Sequence, residues 1–162
     1  MNRNTKRTFV LLLTVMLAIL LTATVSAQGI DPAATYRAQL TGSEEVPPVE
    51  TNARGRVELT FKHDASAVRF TLEVVNATDV VAAHIHCAPA GVNGPVGVTL
   101  FAGGPVNPNG VLASGTITST DADNACGWED LGDVLAAIES GNAYVNVHTL
   151  ANPGGEIRGQ LG

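Results

Sequence analysis

The stretch "RVELTFKHDASAVRFTLEV", residues 56–74, alternates apolar and polar side chains on both sides of a short polar break. Val57, Leu59 and Phe61 share one face against Arg56, Glu58, Thr60 and Lys62 on the other. After "HDAS" the set Val68, Phe70, Leu72 and Val74 repeats the pattern against Arg69, Thr71 and Glu73. Successive side chains of a strand point to opposite faces, so the stretch predicts an antiparallel hairpin with one dry and one wet face. Six further segments read as strands, at 36–40, 81–87, 96–101, 111–118, 143–149 and 156–161. They are short and bounded by turn-forming clusters such as "GVNGP", "GGPVNPNG" and "ANPGG". Seven to eight strands at this spacing predict an all-β fold, an antiparallel β-sandwich or Greek-key barrel. One segment departs from period two. In "WEDLGDVLAAIESGN" Leu131, Val134, Leu135 and Ile138 recur at helical spacing, acids crowd the first turn and Gly141 stands at the C-terminal cap. It predicts one short crossover helix at about 129–140.

The N-terminus carries a different signal. Arg3, Lys6 and Arg7 precede an almost wholly apolar run from Phe9 to Val25, and Val25, Ser26 and Ala27 offer small residues for cleavage. This pattern predicts a signal peptide over 1–27 and one domain over 28–162, in a secreted or periplasmic protein. An uncleaved membrane anchor is the rival reading, because the apolar run approaches the length of a spanning helix. Removing the leader takes three of the nine basic residues and none of the fifteen acidic ones, so the remainder has a formal charge of −9. Nucleic acid is excluded as a partner by the want of a basic patch. No membrane association is expected after cleavage. Cys87 and Cys126 are the two cysteines, an even count that in an oxidising compartment predicts a disulfide.

Within "AAHIHCAP", residues 82–89, His84 and His86 fall on one strand face, about 7 Å apart. In "NAYVNVHTL" the residues Tyr144, Asn146 and His148 share one face, with Ala143, Val145 and Val147 on the other. If the two strands meet, three imidazoles converge, a ligand set suited to copper or zinc. Tyr144 and Asn146 are the candidates to orient the rings. His63 sits beside the turn at "DAS", and is a candidate fourth ligand only if that hairpin tip folds over the others. Cys87 points away from His86 along a strand, and both methionines, Met1 and Met16, lie in the leader, which opposes a blue-copper set. No G-x-S-x-G elbow or phosphate-binding loop occurs. Glu44 and Glu45 are adjacent and make a poor acid/base pair. "NAT" at Asn76 matches a glycosylation acceptor.

Three separated motifs, "LTGSEEVPPVETNARGRVELTF", "AAHIHCAPAGVNGPVGVTLF" and "NAYVNVHTLANPGGEIRGQL", resemble the CHRD domain, the module named from chordin, from about residue 35 to 162. The resemblance implies an extracytoplasmic antiparallel β fold and supplies no catalytic residues. Its characteristic positions fall on His84, His86, Asn93, Gly94, Pro95, Asn146, His148, Asn152, Pro153, Gly154, Gly155, Glu156 and Arg158. The run from Asn152 to Gly155 reads as a tight turn, with Glu156 and Arg158 on one strand face, a structural role. The H-x-H strand with a later Val-His is also similar to the copper-ligand pattern of copper/zinc superoxide dismutases. The sequence thus leads to a CHRD-type protein that binds a transition metal, copper before zinc, through His84, His86 and His148. An enzyme is the lesser expectation. The alternatives are an adhesion or scaffold module without metal, with an extracellular or periplasmic protein partner, and a copper-only dismutase-like oxidoreductase.

Overall fold

A computed structural model of the chain describes residues 34–162. The expected leader, residues 1–27, lies outside the described residues. Eight strands form one antiparallel sheet: β1 (Thr35–Thr41), β2 (Arg54–Phe61), β3 (Val68–Val75), β4 (Val80–Cys87), β5 (Val96–Val106), β6 (Gly110–Ile117), β7 (Ala143–Thr149) and β8 (Ile157–Gln160). Their order across the sheet is β5-β4-β7-β8-β1-β2-β3-β6, and the sheet curls until its two edges, β5 and β6, touch. The result is a nearly closed, barrel-like all-β fold with one short helix, in line with the sequence reading.

The hairpin at 54–75 forms as its alternation requires, with Leu59 opposite Phe70 and Val57 opposite Leu72. Those four side chains enter a continuous core with Leu40, Phe61, Val80, Ile85, Val145, Val147 and Ile157. The opposite face of this hairpin is wet and carries two ion pairs, Arg37–Glu58 and Arg56–Glu73. Such exposed pairs contribute little to stability.

Helix α1 (Leu131–Glu139) is shorter than the predicted span because Asp130 caps it, its carboxylate accepting from the backbone N–H of Gly132 and Asp133. Gly141 follows the helix with φ +72°, the left-handed conformation that ends helices. Leu131, Val134 and Ile138 bury one face against the sheet.

Strand β5 departs from the expectation. The cluster "GGPV" reads as a turn, yet Gly103 to Val106 continue the strand and Val106 pairs with Val80. Proline is tolerated on an edge strand, and β-bulges in the β4–β5 ladder absorb the irregular register. The same edge is covered farther back. Asp121 N–H donates to the Gly97 carbonyl at 3.0 Å, and Thr99 N–H donates to the Asp121 carboxylate at 3.0 Å.

Cys87, at the end of β4, is joined to Cys126, in the loop before α1, by a disulfide (S–S 2.08 Å). Among the described residues no helix is long and apolar enough to cross a membrane.

Candidate metal centre

The outer face of β4, β7 and β8 is not bare. Three loops cover it, residues 42–53, 88–95 and 150–156, and polar side chains pin them together. Asn93 Nδ2 donates to the Val46 carbonyl at 2.6 Å, and Arg158 Nη2 donates to the Pro89 carbonyl at 3.1 Å. On this face, β4 and β7 pair antiparallel with Ala82 opposite His148, His84 opposite Asn146 and His86 opposite Tyr144. Ala83, Ile85, Val145 and Val147 point to the core from the same strands, so alternation forces the three histidines onto the covered outer face.

The rings converge. His84 and His148 have centroids 4.9 Å apart, His84 and His86 5.5 Å, and His86 and His148 5.9 Å. One ligand nitrogen from each lies within 4.8 Å of the others. The tightest pair is His84 Nδ1 to His148 Nε2, at 3.0 Å. Two imidazoles on one ion at 2.0–2.1 Å stand about 2.9–3.3 Å apart, so that pair already has the spacing of neighbouring ligands.

Backbone carbonyls choose the tautomers. His86 donates from Nδ1 to the Gly94 carbonyl at 2.9 Å, and His148 donates from Nδ1 to the Pro153 carbonyl at 3.0 Å. Each neutral ring then offers its Nε2 lone pair. For His148 that lone pair meets His84 Nδ1; for His86 it is buried without a partner. Gly94 must be glycine for this arrangement, since a Cβ there would overlap the Cys87 carbonyl. Burial lowers the pKa of all three rings. For His84 it acts together with the two neighbouring imidazoles, against Asp121, to bring the value to about 4. At neutral pH the group is therefore three uncharged rings, with the His86 Nε2 lone pair unengaged and that of His148 held by His84 Nδ1.

Tyr144 stacks on His86 with centroids 4.8 Å apart and planes 9° from parallel. The other face of the phenol takes Arg158, whose Cζ lies 3.4 Å from the ring centroid. Arg158 is only 1 % exposed. Asn146, 2 % exposed, stands between Tyr144 and His148 with its Oδ1 unpartnered.

His63 is not brought to this group: it occupies the exposed β2–β3 turn, and β8 and β1 intervene between its hairpin and β7. The turn expected at Asn152 to Gly155 forms, with Gly155 N–H donating to the Asn152 carbonyl at 3.1 Å. Glu156 precedes β8 and faces the loops, where it accepts from Thr51, Thr149 and Asn152. Burial raises its pKa, but these three hydrogen bonds outweigh that and hold it below the ordinary value. Asn76 is exposed, just past β3.

Glu45, set aside in the sequence as half of a poor acid/base pair, is buried. It is 5 % exposed, with Oε1 unpartnered, and its carboxylate packs on Gly155, where φ is +139° and a Cβ would overlap it. Burial pushes its pKa up to about 7, with Arg158 pulling down and Glu156 pushing up. No signal in "GSEEVPP" separates buried Glu45 from exposed Glu44.

Residues 36–161 match the family model of the CHRD domain. No curated protein and no solved structure matches the chain.

Proposed function

The chain belongs to the CHRD-domain family, and on that premise we propose that it binds one transition-metal ion, copper in preference to zinc, through His84, His86 and His148. One observation carries the reading: ligand nitrogens from three imidazoles on two strands lie within 4.8 Å of one another. Three neutral rings clustered without a cation leave lone pairs that need separate donors, and His86 Nε2 has none. The donor set is chemically apt, because imidazole suits copper and zinc and the ordinary affinity order favours copper(II). Full enclosure by one ion requires the wider nitrogen separations, up to 4.8 Å, to close by about 1.5 Å. Extracytoplasmic residence is part of the proposal, supported by the apolar N-terminal run and by the disulfide. The role is binding or delivery of the ion; the residues around the rings provide orientation, not a nucleophile or an acid/base pair.

Anaerobic titration of the compact unit Asp31–Gly162 with copper and zinc tests this directly. One ion per chain is expected in the native protein and none in the His84→Ala/His148→Ala variant. Equal stoichiometry in both would overturn the site. Elemental analysis of protein taken from its own compartment identifies the ion, since overproduced protein fills by affinity and supply.

A further inference from the structure

Two of the buried polar atoms without a hydrogen-bond partner lie together on this face: His86 Nε2 and Asn146 Oδ1. Both are acceptors, because His86 has its proton on the nitrogen that donates to Gly94. The Asn146 amide faces His86 closely enough to accept from that ring when it carries a second proton, but with the single proton on Nδ1 the two atoms are both acceptors, and Asn146 is only 2 % exposed, so bulk water does not serve it. The register sets this amide among the rings. Asn146 pairs directly with His84 across the β4–β7 ladder and lies two residues before His148 on the same face.

We infer that Asn146 Oδ1 is the fourth donor to the ion, completing a set of three imidazole nitrogens and one amide oxygen. The inference rests on the metal-binding reading above. An oxygen in the set favours a divalent ion over copper(I), for which softer sulfur ligands are the usual partners. Asn146 is thereby a ligand and not only a residue that orients the rings. It also explains why an amide is buried where the neighbouring outer-face positions carry rings that stack.

Asn146→Leu, close in shape and without the oxygen, separates this role from a structural one. As a ligand, Asn146 contributes nothing to the metal-free protein, so the metal-free variant is expected to melt no lower than the metal-free native protein. Its copper(II) and zinc affinities should fall about 10–100-fold, the range seen when contacts that set a metal site are lost. A lower metal-free melting point with unchanged metal affinity would overturn the inference, because that is the mark of an amide bonded within the protein. Asn146→Asp retains an oxygen donor and adds charge; tighter copper(II) binding and a shifted copper(II) electron paramagnetic resonance spectrum are expected, and an unaltered spectrum would count against direct ligation even if the leucine variant failed to fold. Absence of binding by the native unit would overturn the three-histidine reading itself. Native binding with an unaffected Asn146→Leu variant would overturn the fourth donor alone.

Discussion

The imidazole of His86 has the Gly94 carbonyl at one nitrogen, the Tyr144 ring on its face and an unpartnered lone pair at the other nitrogen. Arg158 on the far side of Tyr144 places a full positive charge two layers away, held by Asn93 and Pro89 and set near the buried Glu45. Glu45 is the residue through which acidity reaches this region, facing Arg158 and Glu156 across the Gly155 turn. Its folded-state pKa of about 7 stands above its ordinary 4.5. The stability this contributes is full below pH 4.5 and is lost as pH rises through about 7, on the order of 3 kcal/mol. His84 slopes the opposite way. Its pKa of about 4 lies below the ordinary 6.5, so its contribution is present above pH 6.5 and is lost as pH falls through about 4. The slopes oppose one another between pH 4.5 and 6.5. Glu45→Gln should therefore steepen the acid side of the metal-free stability profile and remove the decline toward pH 8. Urea midpoints at pH 5, 6.5 and 8 check it; a variant parallel to the native protein at all three would refute the assignment. The histidine face was legible because alternation is a local rule. Glu45 and Arg158 were not, since their burial depends on loops folding over a sheet face, and charged residues read one at a time belong in water.

At the scale of elements, β4 and β7 supply the rings while the 88–95 and 150–156 loops supply the carbonyls that orient them. The disulfide ties the end of β4 to the loop before α1 and flanks the first of these loops: Cys126 Sγ lies 3.4 Å from the Pro95 carbonyl, one residue from Gly94, and Cys87 follows His86 directly. Closing a separation of 39 residues contributes about 4 kcal/mol in the chain-entropy account. A Cys87→Ala/Cys126→Ala variant should melt lower by up to about 15 °C for a domain of this size. It should also bind copper more weakly, because the His86 acceptor is no longer held. Calorimetry with metal titration decides it, and an unchanged affinity would show that the Gly94 carbonyl is positioned without the bridge. The strands and α1 could be read from period and caps because those signals lie within ten residues. The run of β5 through Gly103 to Val106 could not, because its pairing with Val80 comes from a neighbouring strand well outside that local window. Sheet order and register were hidden for the same reason: β7 inserts between β4 and β8 through pairings that span some 60 residues of sequence.

For the molecule as a whole, the site joins parts distant in sequence, so an ion there acts as a cross-link that only the folded chain can make. The three candidate ligands span residues 84 to 148 and stand on adjacent strands, and the loops above them bind one another through Thr51 to Glu156 and Asn93 to Val46. The unfolded chain keeps only the H-x-H pair close, which binds an ion far more weakly than three converging rings. Metal binding must therefore raise stability by mass action, about 2.7 kcal/mol when the free ion exceeds its dissociation constant a hundredfold. For a domain of about 130 residues this corresponds to a rise in melting temperature of about 10 °C. The rise should grow with the logarithm of ion concentration and vanish in the His84→Ala/His148→Ala variant. Differential scanning calorimetry over a series of zinc concentrations gives the slope, and zinc avoids redox damage to the disulfide. A melting temperature indifferent to zinc in the native protein would mean that the rings meet only each other, and the barrel would then owe its stability to the core and the disulfide alone.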